Sequence, residues 1–244
     1  HGGTIYQARK RLKWPGQAAV VVSVVHVAKG ELAGPFLLDN REVPIITAYL
    51  FHAGGHEDPA RLKANEGKSF QGSIVLGMGF TFDDTDTKGV ATPLSEMERL
   101  IAKDPRNKER IFPYIGGEDF LRHPCQHHSR YVINFGEVSE SDAQSYPDLY
   151  HIVAMKVKPE RMLQKDNPDG RRRRQFWWQW GRYTPALTRA TEHLDRVLMH
   201  PFTSTHVAFA FVPSSTVVAG PHNVVALRSD CGFCVLQSRV HEAW

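Results

Sequence analysis

The sequence is short of several things, and each shortage narrows its reading. Cysteine occurs three times, at Cys125, Cys231 and Cys234. That is too few, and odd in number, for a disulfide scaffold; it fits a reducing compartment, so a cytoplasmic location is expected. No apolar run approaches the roughly 18 residues of a membrane helix, and no secretory signal opens the chain, so no membrane partner is expected. Catalytic signatures are missing as well. Gly77-Met78-Gly79 lacks the third glycine of a dinucleotide fingerprint. There is no Walker lysine motif and no Gly-x-Ser-x-Gly elbow. No Pro-Pro pair occurs, which excludes an Asn-Pro-Pro-Tyr grip on a flipped base within this chain. Pro147-Asp148 could open a PD-(D/E)xK nuclease, but no acidic-x-Lys triplet follows at a usable distance. No catalytic set is complete, and neither a catalytic nor a metal-binding residue is assigned.

What is present is a globular chain. Its 244 residues suffice for one large domain or two small ones. Apolar residues at 41% and charged residues at 23% argue against global disorder. The net charge of +4 is unevenly placed. Residues 1–30 carry five basic groups and no acid, 31–155 are net −7, and 156–196 are net +6. Two basic blocks flanking an acidic middle suit either a polyanion partner or a solvated charged face.

Periodicity sets the expected elements. Residues 17–28 (QAAVVVSVVHVA) read as a strand buried on both faces. Residues 44–51 and 73–82 read as further strands, and 53–68 as a loop. Thr92-Pro93 is expected to cap a helix to about Lys103, with Leu94, Met97, Leu100 and Ile101 on one face. Short strands are expected at 111–115 and 130–135, and a helix near 147–157. Asn167-Pro168-Asp169-Gly170 reads as a turn before a helix over 171–180. Thr184 is expected to cap another helix to about His193, and residues 196–228 to alternate as an antiparallel sheet. Asp230 is expected to cap a last helix with Phe233, Leu236, Val240 and Trp244 on one stripe. The class is α+β, with mixed sheets of short antiparallel strands and several helices.

Three constellations could carry chemistry. Cys231-Gly232-Phe233-Cys234 at a helix start has the local form of a redox CxxC, or of two small residues on a packed helix. His123, Cys125, His127 and His128 could join those cysteines as zinc ligands, although the spacing matches no common finger. A small zinc or thiol-redox protein is thus an alternative reading. The third is Arg171-Arg172-Arg173-Arg174-Gln175-Phe176-Trp177-Trp178-Gln179-Trp180-Gly181-Arg182. Guanidinium forks beside indoles are what nucleic-acid binding asks for. The same pattern also fits a helix with its indoles in the core and its arginines in solvent, and at least one of the three indoles is expected inside.

At this point the order of motifs resembles a known family. The stretches are GGTIYQARKRLKWPGQAAVVVSVVHVAKG, SFQGSIVLGMGFTFDD, LIAKDPRNKERIFPYIGGED, SRYVINFGE, YPDLYHIVAMKVKPER, FWWQWGRYTPALTRA, DRVLMHPFTSTHVAFAFVPSSTVV and CGFCVLQSRVHEAW. They resemble the target-recognition region of large class I S-adenosylmethionine-dependent DNA methyltransferases, including the type IIG and MmeI-like restriction–modification proteins. The resemblance implies that residues 1–35 are the last strands of an α/β methyltransferase domain, 36–110 a connector, and 111–244 a target-recognition domain. It implies a fragment cut at both ends, inactive alone. S-adenosylmethionine would belong to the catalytic domain upstream, with no cofactor in this chain and double-stranded DNA as the partner. Phosphate or backbone contacts are assigned to Arg171, Arg172, Arg173, Arg174, Arg182, Arg189 and Arg130, with Trp178 as a stacking surface. Base reading is assigned to Ser204, Thr205 and His206, with Thr203 before them, and to Ser214-Ser215. A degenerate remnant that folds poorly is a further alternative.

Overall fold

A computed structural model describes residues 2–18, 20–53 and 63–243. It divides into two compact units, residues 1–63 and 64–244. The first holds β1 (Gly3–Lys13), β2 (Val21–Lys29), β3 (Phe36–Leu38) and β4 (Arg41–Val43) in one sheet of order β2-β1-β3-β4. β1 pairs antiparallel with β2 and parallel with β3. The turn between β3 and β4 places Asp39 and Asn40 at φ 51° and 64°, a conformation that these short polar side chains tolerate. Both also tie the turn to β1, because Asp39 Oδ1 accepts the Lys10 N–H at 2.7 Å and Asn40 Oδ1 accepts from the Arg9 guanidinium. The core here is small: Ala8, Phe36, Leu38, Val43 and Ile46.

Two expectations fail in this unit. The valine-rich stretch is not buried on both faces; β2 is an edge strand, with Val21, Val24, Val25 and Val27 exposed. A run of β-branched residues favours extended backbone wherever the strand lies, so composition alone misplaces it. Part of the predicted stretch, Ala19, lies outside the described residues. The strand expected at 44–51 is absent, since β4 stops at Val43. The chain then turns, with Leu50 N–H donating to Thr47 O and Thr47 Oγ1 accepting from Phe51 N–H. Most of the loop expected at 53–68 also lies outside the described residues.

The second unit is α+β, built on two four-stranded sheets. One has the order β10 (Ala210–Pro213), β9 (Arg196–Pro201), β12 (His222–Val225), β5 (Ser69–Gln71), and every pairing in it is antiparallel. The other has the order β11 (Val217–Val218), β7 (Ile111–Ile115), β8 (Arg130–Ile133), β6 (Thr81–Phe82), with β11 parallel to β7. Strands expected at 111–115, 130–135 and within 196–228 are therefore present. The 73–82 strand is reduced to bridges at Ser73 and Ile74, a 3-10 turn at Met78–Phe80, and β6.

Helices cover these sheets. α1 (Leu94–Lys103) buries Met97 and Leu100, as their spacing predicts. Its cap differs: the Leu94 N–H is satisfied by Asp84 Oδ1 at 2.8 Å, while Thr92 is buried and uses only its backbone, bonded to Thr81 and Asp83. α2 (Gly117–Arg122) and α3 (Glu140–Gln144) are short, and α4 (Pro147–Lys156) runs almost directly into α5 (Lys158–Met162). The larger core gathers Phe80, Phe82, Leu100, Ile133, Phe135, Leu149 and Val153. A second core lies under the antiparallel sheet, around Ile115, Phe120, Val197, Met199 and Val224. At the end, α8 (Asp230–Leu236) is capped by Ser229, whose Oγ accepts the Gly232 N–H, rather than by Asp230. The helix expected to run on breaks before α9 (Arg239–Ala243). The expected apolar stripe is not buried, with Val240 largely exposed; Trp244 lies outside the described residues.

Candidate nucleic-acid interface

The four arginines sit on α6 (Pro168–Gln175). The Asn-Pro-Asp-Gly segment read as a turn is the helix start: Asn167 Oδ1 accepts the Gly170 N–H at 2.7 Å and Pro168 occupies the first turn. Arg172, Arg173 and Arg174 fall in the last turn, where cations meet the negative end of the helix dipole. The helix ends at Gln175, five residues short of the predicted Trp180. The guanidiniums are substantially engaged within the chain. Arg171 and Arg174 both reach Asp166 Oδ1, at 3.2 and 2.9 Å. Arg174 also donates to the Gln164 carbonyl, clamping the loop that leads into α6. Arg172 lies 3.8 Å from Glu137 and over the Phe176 ring. Among the described residues Arg173 makes only a long contact, 3.5 Å, with Gln164 Oε1.

Two of the three indoles are interred. Trp177 and Trp178 are 3% and 5% exposed and pack edge to face in the larger core. Trp178 Nε1–H donates to the Val138 carbonyl at 3.1 Å. Trp178 therefore offers no free stacking surface, which corrects its assignment. Apolar area and a satisfied N–H make the interior its lower-energy place. Trp180 is only half-buried, with its Nε1–H bound to the Ile133 carbonyl at 2.8 Å.

Arg130 is engaged within the chain. It bonds Asp119 Oδ2 at 2.9 Å, lies 4.0 Å from Asp83 and stacks over the Tyr114 ring. Burial would raise the Asp119 carboxyl, but the Gly116 N–H, the Ser129 hydroxyl and Arg130 together hold it below the ordinary range. This cluster joins β8 to the start of α2.

Arg182 and Arg189 differ. Arg182 is held through its backbone, in a bridge to Ile74, and Arg189 lies on α7 (Pro185–Thr191). Both side chains are exposed and have no ion-pair or hydrogen-bond partner among the described residues. Ser204, Thr205 and His206 lie in the exposed loop between β9 and β10, where the Ser204 hydroxyl donates to the His206 carbonyl.

Ser214 and Ser215 fall elsewhere. They line a cleft of about 210 Å³ between α7 and the turn from β10 to β11. Thr184, Leu187, Thr188 and Thr191 line it from the helix side, together with Phe112, Val224, Trp180 and Tyr183. No charged residue lines it. Sequence reasoning missed this site apart from its two serines. The available signal was the repeat of threonines at 184, 188 and 191, which helical spacing puts on one face.

The alternative zinc reading is not favoured. Among the described residues no group of three or more His, Cys, Asp or Glu could hold a metal ion, and all three cysteines are free and exposed. Gly77-Met78-Gly79 leads into a 3-10 turn at Met78–Phe80 before a two-residue strand, and Gly79 is packed against Lys156 and Val157. Among the described residues no helix is long and apolar enough to cross a membrane.

No protein-family model matches the chain, and no curated protein does. Among solved structures, the type IIL restriction–modification enzyme MmeI, determined in complex with DNA, matches with a TM-score of 0.59 at 16% identity. The match takes in 100% of this chain and 32% of that one, so the chain spans about a third of that enzyme's length. The chain thus shares its fold with part of a restriction–modification enzyme.

Proposed function

We propose that this chain is the DNA-reading portion of a site-specific adenine DNA methyltransferase of a restriction–modification or related defence system. Methyl transfer and S-adenosylmethionine binding belong, in this reading, to a catalytic domain outside it. The observation that carries the proposal is the fold likeness, over the whole chain, to a restriction–modification enzyme solved with DNA. Two features support it. Arg182 and Arg189 are exposed guanidiniums with no partner among the described residues, ready to pair with phosphates. The exposed valines of the β2 edge strand are an apolar surface that a neighbouring catalytic domain would cover. Phosphate contacts supply affinity without sequence information, and the Ser204–His206 loop is the candidate for base edges.

Duplex binding measured across a salt series tests this. Affinity should fall linearly on a log–log plot, with a slope near −0.9 for each phosphate contact. Replacing Arg182 and Arg189 together by alanine should weaken binding to all sequences alike and reduce the slope by about two. Substitutions at Ser204–His206 should instead change the preference among sequences. Binding indifferent to salt would refute the proposal.

A further inference from the structure

The cleft between α7 and the β10–β11 turn has a chemistry of its own. Its lining combines apolar side chains with a set of hydroxyls. Several of those hydroxyls are already spent: Thr191 Oγ1 donates to the Leu187 carbonyl and Ser214 Oγ to the Leu194 carbonyl. The hydroxyls of Tyr183, Ser215 and Thr216 have no partner among the described residues. A hydroxyl both donates and accepts, so these three can adapt to either kind of polar edge. Trp180 lines the same space with its N–H already bound to Ile133. What the indole offers the cleft is therefore ring surface.

These features select a guest. A charged ligand would find no countercharge among the lining residues. A wholly apolar one would leave the free hydroxyls unpaired. The volume, about 210 Å³, is below the roughly 300–1,000 Å³ of sites for drug-sized ligands. A neutral, flat heterocycle with a polar edge meets every condition. The exposed guanidiniums of Arg182 and Arg189 are each one residue from a lining residue, Tyr183 and Thr188. Neither lines the cleft itself, so both are cations outside the neutral lining, available to a phosphate attached to such a heterocycle.

We infer that this cleft takes up a single unpaired nucleobase of the bound DNA, stacked against Trp180, with its flanking phosphates on Arg182 and Arg189. The inference rests on the DNA-reading proposal. A base inside a duplex must leave the stack to reach such a site, and the cost is least where it is already unpaired.

The test compares a fully paired duplex with the same duplex carrying one extra 2-aminopurine in a bulge, following both affinity and 2-aminopurine emission. The bulged duplex should bind about tenfold more tightly, within the range of one base–aromatic stack, and its emission should be quenched. Thr188→Tyr, which fills the cleft from an exposed position, should bring the affinity ratio to one and restore emission, with the melting temperature showing that the variant folds. Equal binding of both duplexes by the unaltered chain would overturn the inference and leave the DNA-reading proposal standing. If neither duplex binds, that proposal falls. A titration with 2-aminopurine deoxyribonucleoside monophosphate then decides the cleft alone: quenching lost in Thr188→Tyr supports a nucleobase site, and no quenching overturns it.

Discussion

At the scale of single residues, the arginine–tryptophan run shows how one composition can serve two purposes. Trp178 is a core side chain with a satisfied N–H. Trp178→Ala should cost about 3–5 kcal/mol of unfolding free energy, measurable by urea denaturation. If Trp178 instead acted on DNA, the same change would weaken binding with stability intact. Two other residues set an acid limit. His222 is buried with Nδ1 on the Ala219 carbonyl; burial lowers its pKa from the ordinary 6.5, as does His200 nearby, and the carbonyl only partly offsets this. A folded pKa below the unfolded one means that the unfolded chain takes up the proton first. The stability linked to His222 is thus complete above pH 6.5 and lost as pH falls through the lower folded value. Asp119, also depressed, adds a second loss below the carboxylate range. Denaturation midpoints should therefore decline in two stages on acidification, and Arg130→Met should remove about 2–3 kcal/mol at neutral pH by stranding Asp119. The sequence displays the residue types at all these places; whether a guanidinium faces solvent, Asp166 or Asp119 depends on chain segments brought together only by folding.

At the scale of elements, local signals were the legible ones. α1, α4 and the strands β7 and β8 fall where amphipathic spacing, proline and β-branched runs place them. The failures have a common origin in partners distant along the chain. α1 takes its cap from Asp84, ten residues before its first turn. The valines of β2 mark an edge because the sheet order, invisible in composition, puts β1 on one side only. The hydroxyl cleft is likewise divided between α7, β7 and the β10–β11 turn, so no single window of sequence contains it. One junction of this kind gives a sharp test. Gly72 leaves β5 against the β11–β12 connection, donating its N–H to the His222 carbonyl. A Cβ added there would meet the Ala219 and Val218 carbonyl oxygens at 2.5 and 2.6 Å. Both are backbone atoms and cannot swing aside. Gly72→Ala should therefore cost about 1–3 kcal/mol, seen as a lowered denaturant midpoint with an unchanged m-value.

At the scale of the whole chain, the α+β class follows from alternating short strands and helices, whereas the division near residue 63 had no clear compositional mark. Among the described residues the two units have unequal cores: the first rests on five buried side chains, the second on two larger clusters. Calorimetry should resolve two transitions, the earlier one belonging to the first unit, and a single cooperative transition would contradict the division. The antiparallel sheet of the second unit carries a further consequence, for synthesis. Its edge strand β5 lies at residues 69–71, yet its hydrogen-bonding neighbour is β12 at 222–225. A nascent chain emerging from the ribosome must hold β5 unpaired while some 150 residues are added, and closing so long a loop is slow. Translation speed through this region, and chaperone occupancy at the waiting strand, should then govern the yield of native protein more than any one side chain does.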